Sequence, residues 1–309
     1  MVPTYNCARY LRETLTSVVE QDPGPERMQI EVVDDASTDD PQAVVEDLGA
    51  GRVTFFSQPR NVGHVANFNT CLERSRGHLV HLLHGDDCVR DGFYAAMDRL
   101  LEHESQAGAA FCRYIAIDEA GDWTSIGPLE QRSAGILPGW LEKIAVGQRL
   151  QTPCMVVRRA VYELLGGFDR RSRSLGEDWE MWVPIAAHYP VAYEPAPLAL
   201  YRVHSPSLSG RTLRTGENVR DLRRVIEINR EHLPAATVDD ITRRALRETA
   251  TTCLRRARRL LGAGDTTAMW AQVREAIQSD ACPRVLAEAV AVVAARFALP
   301  LLDRKGSGA

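Results

Sequence analysis

The sequence predicts an α/β protein, with a mostly parallel central sheet flanked by helices over residues 1–210 and a helical C-terminal extension over 211–309. Three observations carry this reading. Short apolar runs alternate with helix-periodic segments in β-α-β-α-β-α-β order, which favours parallel strands joined by right-handed crossovers. Two of those runs end in adjacent carboxylates, Asp34-Asp35 and Asp86-Asp87. Beyond residue 216 the pattern is helical throughout.

The elements follow in order. Residues 1–6 read as the end of a strand and the loop after it. Leu11, Leu15, Val18 and Val19 then fall at i, i+4, i+7 and i+8, one face of a helix. Residues 28–33 form a buried strand, and the loop 34–40 leads to Pro41 at a first helical position, with Gly49 past the end. A third strand covers 52–56, a helix 64–76, a nearly continuous apolar strand 78–83, and a further helix 91–104. Residues 109–117 are strand-like, then a Gly/Asp/Pro-rich loop and mixed segments run to about 204, including a strand at 197–200. Helices over 216–299 break at Leu233-Pro234 and near Gly262-Ala263-Gly264.

A chain of 309 residues, 45% hydrophobic and 25% charged, is ordinary for a globular protein and allows one large domain with an appendage. Its net charge of −4 is uneven: residues 1–210 hold 19 basic and 29 acidic side chains, residues 211–309 hold 18 and 12. The basic tail suits peripheral contact with anionic lipid or a phosphate-bearing acceptor, while solvated faces of amphipathic helices explain the same charge more simply. Seven cysteines without a C-x-x-C pair or a secretory segment predict reduced thiols in the cytoplasm and argue against zinc. The apolar stretch 287–302 is interrupted by Arg296 and Pro300, which favours a packing helix over a bilayer span.

The acidic pairs carry the chemistry. Ligands of open α/β sheets collect outside the carboxyl ends of the strands, which is where these pairs fall. Adjacent carboxylates repel and lose hydration in a cleft, so they need a cation or hydrogen-bond donors. Hard divalent ions such as Mg²⁺ or Mn²⁺ take oxygen ligands and share sites with substrate phosphates. The residues therefore suggest a metal-assisted enzyme acting on a phosphate-bearing substrate.

The order of motifs over residues 1–205 resembles the family 2 inverting glycosyltransferases of the GT-A fold. The matching residues are Pro3-Thr4-Tyr5-Asn6, Val32 to Asp39, Asn61-Val62-Gly63 with Asn69, and Gly85-Asp86-Asp87. They continue with Gly166-Gly167-Phe168-Asp169, Glu177-Asp178 and Tyr201-Arg202-Val203-His204. The resemblance implies a Rossmann-like sheet and a nucleotide-diphosphate sugar as donor. It places Pro3, Thr4, Tyr5, Asn6, Asp35, Asn61, Gly63, Asp86 and Arg202 at the nucleotide sugar, and Asp87 with His204 at a divalent cation, Mn²⁺ or Mg²⁺. Asp178 becomes the general base that deprotonates an acceptor hydroxyl, with Glu177 beside it at the acceptor. A saccharide or lipid-linked acceptor of a bacterial envelope follows from the same resemblance, and nucleic acid is not expected as a partner.

Plainer readings stand beside these. One Asp of the pair can cap the helix near Asp91, and Glu177-Asp178 can simply favour a helix N-terminus. A sugar-nucleotide nucleotidyltransferase shares the topology, but the Gly-rich N-terminal loop and downstream Lys it needs are not visible. A non-catalytic sugar-nucleotide-binding scaffold is the alternative from a different class. His81 alternates with apolar neighbours and reads as structural. Two positions depart from the family pattern: His84 stands where many relatives carry Asp, and Phe68 where many carry Arg.

Relatives also place several apolar residues before the Pro-Thr-Tyr-Asn segment, where this chain has only Met1 and Val2. A late start is expected to cost several kcal/mol of burial. A version extended upstream should therefore show a higher thermal midpoint, and an equal or lower one would refute the expectation.

Overall fold

The computed structural model describes residues 1–49, 51–169, 171, 176–204 and 208–303. They fall into two compact units, the first built from residues 1–144, 148–169, 171 and 177–204. The second comprises residues 145–147, 176 and 208–303. The terminal residues 304–309 lie outside the described residues.

In the first unit, β1 (Val2–Thr4), β2 (Glu31–Asp34) and β3 (Thr54–Ser57) form a parallel sheet in the order β1-β2-β3. Helices α1 (Ala8–Val19), α2 (Pro41–Gly49) and α3 (His64–Arg74) make the connections. Helix α1 buries Tyr10, Leu11, Thr14, Leu15 and Val18, the stripe its periodicity predicts. On the other flank of β1 lies β4 (Leu79–His81). The Met1 ammonium donates to the His81 carbonyl at 3.0 Å, Leu83 N to Met1 O at 3.1 Å, and Gly85 N to Pro3 O at 3.1 Å. These bonds carry the pairing past β4 itself and fix the loop that begins at His84.

The second half of the sheet is mixed. Strands β5 (Cys88–Val89), β6 (Ala109–Ile117), β9 (Met155–Arg158) and β10 (Val191–Arg202) join β4 in the order β4-β9-β6-β10-β5. Strands β7 (Trp123–Ile126) and β8 (Gly135–Ile136) pair at its margin. Only β6 and β10 are parallel here; β4 with β9, β6 with β9 and β10 with β5 are antiparallel. The sequence pattern predicts only four residues of β10, because Pro195 and Pro197 interrupt the run. The strand accommodates them with register shifts between Glu194 and Pro197 and between Pro197 and Ala199, as prolines lacking an amide proton require.

Helices α4 (Phe93–His103), α5 (Trp140–Val146), α6 (Arg159–Leu165) and α7 (Glu177–His188) complete this set. Helix α7 opens with Glu177, Asp178 and Glu180, acids favoured at the positive end of a helix dipole, and buries Trp179, Met181, Trp182, Val183 and Ile185 behind them.

The second unit contains α8 (Leu208–Thr215), α9 (Glu217–Asn229), α10 (Val238–Gly262), α11 (Thr266–Ser279) and α12 (Pro283–Asp303). The breaks at Leu233-Pro234 and Gly262-Ala263-Gly264 separate these helices as the pattern predicts. Its core packs Val219, Leu254, Met269, Val273, Val285 and Val292. Buried Glu275 is held by Arg220 at 3.0 Å and Arg223 at 2.7 Å. Among the described residues, no helix is long and apolar enough to cross a membrane.

Candidate active site

The site lies at the carboxyl ends of β1, β2, the extension of β4, and β10, with the first turn of α7 facing it. Strand pairing places each loop. Asp34 ends β2 and is spent on structure: its carboxylate accepts from Ser37 N, Ser37 Oγ and Ser57 Oγ. Asn6 N donates to Ser37 Oγ at 2.9 Å, and Asn6 Oδ1 accepts from Thr38 N at 2.9 Å, so the β1 and β2 loops are tied together. Asn6 and Ala36 both take positive φ, 51° and 57°. For alanine that conformation is a local strain of about 1 kcal/mol or more, held by the surrounding bonds.

Asp35 accepts from Val62 N at 2.6 Å and Gly63 N at 3.0 Å, while Asn61 Nδ2 donates to the Asp35 carbonyl at 3.3 Å. Burial raises its pKa against these amide bonds. Asp35, Asn61 and Gly63, all expected at the nucleotide, thus form one clamp across two loops. Pro3 and Thr4 are buried within β1, so they shape the cradle from behind, whereas Tyr5 is half exposed at its rim. Gly85 is required by close approach. A Cβ there would stand 2.8 Å from Cys7 Sγ and 3.0 Å from Thr4 Oγ1.

Beyond Gly85 the two aspartates diverge. Asp86 Oδ2 meets His204 Nε2 at 2.8 Å. Burial opposes ionisation of Asp86, but this bond and the neighbouring His84 and His204 together outweigh it and lower the pKa. Asp87 is only 1% exposed. Its Oδ1 accepts from Arg202 N at 2.8 Å, and its Oδ2 has no hydrogen-bond partner among the described residues. Burial, with Asp86 alongside, pushes its pKa well above the carboxylate range. A buried carboxylate left this way costs several kcal/mol or stays protonated. The donor set His84, Asp86 and Asp87 offers ligand atoms within 4.8 Å of one another, so the residues fit a divalent cation.

Two expected site residues make contacts other than those anticipated. Arg202 does not reach into the site: Nε donates to Asp86 O at 2.9 Å, Nη1 to Asp118 O at 3.0 Å, and Nη2 pairs with Glu13 at 2.5 Å. Its side chain is 1% exposed, so it braces the aspartate loop instead of presenting a free fork to phosphate. His204, expected beside Asp87 on the cation, is placed against Asp86, and His84 occupies the third corner of the ligand group.

Across the pocket, Asp178 Oδ2 accepts from Gln148 Nε2 at 2.6 Å and Thr152 Oγ1 at 3.3 Å, and Oδ1 from Trp179 N at 2.7 Å. Burial, then the neighbouring Glu177, raises its pKa to about 7. Glu177 Oε2 lies 3.6 Å from His64 Nε2. Burial disfavours both charges, but each stabilises the other, so the His64 pKa rises and that of Glu177 falls. His64 also feels Asp35 and Asp178, His84 feels Asp86 and Glu177, and Tyr201 feels Asp86, Asp87 and Asp178. His64 thus lies within electrostatic reach of Asp35 and Asp178, and Tyr201 within reach of Asp87 and Asp178.

Sequence reasoning assigned no role to His64, which directly follows the Asn61-Val62-Gly63 turn, or to Tyr201 of the Tyr201-Arg202-Val203-His204 motif, and passed over Gln148 and Thr152, whose types carry no distinctive signal. His81 is structural as expected: it contacts Pro153 O at 3.0 Å and Tyr94 Oη at 3.3 Å, and burial pushes its pKa down to about 3. A cavity of 590 Å³ in the same unit is lined by residues such as Val18, Met28, Tyr94 and Met97 and touches none of the acidic pairs.

The Asp178 carboxyl is expected to titrate near pH 7. It should be protonated below that value and anionic above it. A pH-difference infrared spectrum should show a carboxyl band lost near pH 7 and absent in Asp178→Asn; titration near pH 4 would contradict the geometry.

Residues 1–165 match the profile of the family described as Glycosyl transferase family 2. The uncharacterized protein MT1568 of Mycobacterium tuberculosis is 28% identical over 237 residues, 73% of each chain. S. aureus TarS residues 1–349, solved with UDP-GlcNAc, superposes with a TM-score of 0.65 at 16% identity, covering 90% of both chains. The mannosyltransferase PcManGT of Pyrobaculum calidifontis, solved with GDP-Man and Mn²⁺, gives 0.60 at 19% identity over 96% of this chain and 79% of that one. These structural likenesses give the GT-A fold, and the profile covers more than half the chain. The chain belongs to glycosyl transferase family 2 and is a glycosyltransferase.

Proposed function

We propose that the protein moves a sugar from a nucleoside-diphosphate sugar to an acceptor hydroxyl with inversion at the anomeric carbon, assisted by a divalent cation. One observation carries this reading: a buried carboxylate with an open oxygen, Asp87, and a buried carboxylate pushed toward neutrality, Asp178, lie within electrostatic reach of the same side chain, Tyr201. Pairs of acids with environments that separate their pKa values mark distinct chemical roles.

The Asp35 clamp and Tyr5 receive the base, Asn6 orders the loop beneath it, and Asp86 faces the ribose with its carboxylate oriented by His204. Asp87, with Asp86 nearby, would hold Mn²⁺ or Mg²⁺, which supplies charge neutralisation to the departing diphosphate. Asp178 takes the proton from the acceptor hydroxyl as that oxygen bonds to the anomeric carbon. The sugar–phosphate bond breaks from the opposite face, and its electron pair leaves with the diphosphate. One displacement and one base give inversion. Gln148, Thr152 and the Trp179 amide fix the Asp178 carboxylate for that transfer, and the Glu177–His64 pair sits at the acceptor side.

The donor class is supported by the nucleotide sugars bound in the two structural neighbours. A saccharide or lipid-linked envelope acceptor, approached peripherally by the basic helices of residues 211–309, is the matching second substrate. Buried, unpaired cysteines 7, 71, 88, 112, 154 and 253 suit a cytoplasmic setting.

Incubation with UDP-, GDP- and dTDP-sugars plus Mn²⁺, followed by assay of free nucleoside diphosphate, tests the proposal. Release is expected with one donor class. Asp178→Asn should retain donor affinity while turnover falls by about 10²–10⁴-fold, and Asp87→Ala should lose donor affinity and turnover together. Donor binding without release, unchanged by Asp178→Asn, would establish a scaffold instead.

A further inference from the structure

The two positions that depart from the family pattern meet in space. The Phe68 and His84 rings stack, centroids 5.1 Å apart and planes 18° from parallel. Phe68 is itself 5% exposed and held edge-on by Phe168 at 5.4 Å and His64 at 5.8 Å. The stack fixes the plane of an imidazole whose Nδ1 points at Asp87 Oδ2 from 3.7 Å, too long for a hydrogen bond. That carboxylate oxygen has no hydrogen-bond partner among the described residues, and neither does His84 Nε2. Two polar groups facing each other across such a gap, within a ligand group spanning 4.8 Å, leave room for an ion bonded to both at about 2.0–2.2 Å after a small side-chain adjustment.

We infer that His84, stacked in place by Phe68, is a nitrogen ligand of the cation and turns the site's preference from Mg²⁺ toward Co²⁺, with Mn²⁺ between them. The inference rests on the cation proposed above and adds its ligand set. An aspartate at position 84 would put a third carboxylate beside Asp86 and Asp87. The imidazole supplies a ligand without that repulsion, so two carboxylate charges meet one divalent ion. Mg²⁺ demands oxygen ligands and sheds water reluctantly, whereas Co²⁺ gains more from an imidazole and stands above Mn²⁺ in intrinsic affinity. Phe68 is a positioning residue, acting on the ion only through the ring it holds.

The test uses the full-length chain and metal ions alone. Co²⁺ is followed by its visible ligand-field absorption and displaced by Mg²⁺ or Mn²⁺. Wild type should give a nitrogen-ligated spectrum that Mg²⁺ displaces poorly. His84→Asp should keep Mg²⁺ binding, shift the Co²⁺ spectrum and reduce the Co²⁺-over-Mg²⁺ preference by about tenfold or more. Phe68→Leu should weaken Co²⁺ binding by a smaller factor with the spectrum retained, and circular dichroism melts check that each variant folds. An unchanged spectrum and ion preference in His84→Asp, with Asp87→Asn abolishing binding, would overturn the His84 assignment while leaving the cation in place. Co²⁺ binding unaffected by Asp87→Asn would overturn both.

Discussion

Asp87 is the constraint around which the pocket is organised. A carboxylate 1% exposed, with one oxygen on the Arg202 amide and the other unpartnered, is an unfavourable group for a folded chain to retain. The surrounding structure is committed to holding it there. Three backbone bonds continue the β1 pairing as far as Gly85, Gly85 sits where a Cβ would strike Cys7, and Arg202 ties the Asp86 carbonyl to Glu13 and Asp118. A fold spends this much order on an isolated anion when a positive ligand is to complete it.

The electrostatics of the pocket repeat one device twice. In the pairs Asp86-Asp87 and Glu177-Asp178 one member is matched to a histidine and stays ionised against its burial: Asp86 with His204, Glu177 with His64. The other member is buried without such a match and shifts upward: Asp87 and Asp178. The matched carboxylates orient and anchor. The unmatched ones are left to respond to a cation or a proton, which is what transfer of a sugar from a diphosphate requires of them. On the proposed reading, metal-site and base roles would both come from acidic pairs in which one member is matched to an imidazole.

Much of this was legible in the chain. The parallel β-α-β start followed from the apolar runs and from Pro41 and Gly49, and the helix breaks from Pro234 and the Gly262–Gly264 segment. The acidic pairs announced strand ends because their neighbours were apolar. Four features were hidden for physical reasons. Antiparallel members of the second sheet half have no signature distinct from parallel ones in runs as short as 88–89. The proline-interrupted β10 reads as a strand only over 197–200, because register shifts absorb Pro195 and Pro197. The placement of His204 against Asp86 and of His84 near Asp87 depends on side-chain direction, which periodicity does not encode. Arg202 looked like a phosphate ligand because its burial under Tyr10 and its three acceptors are long-range facts.

Anomalous diffraction at the manganese edge, from crystals soaked with Mn²⁺ and UDP, tests the central claim most directly. One strong peak bonded to the open oxygen of Asp87, with the diphosphate on its far side and Asp178 facing the same cleft, is the predicted result. A peak remote from Asp87, or a diphosphate bound on a surface that Asp178 does not face, would contradict it.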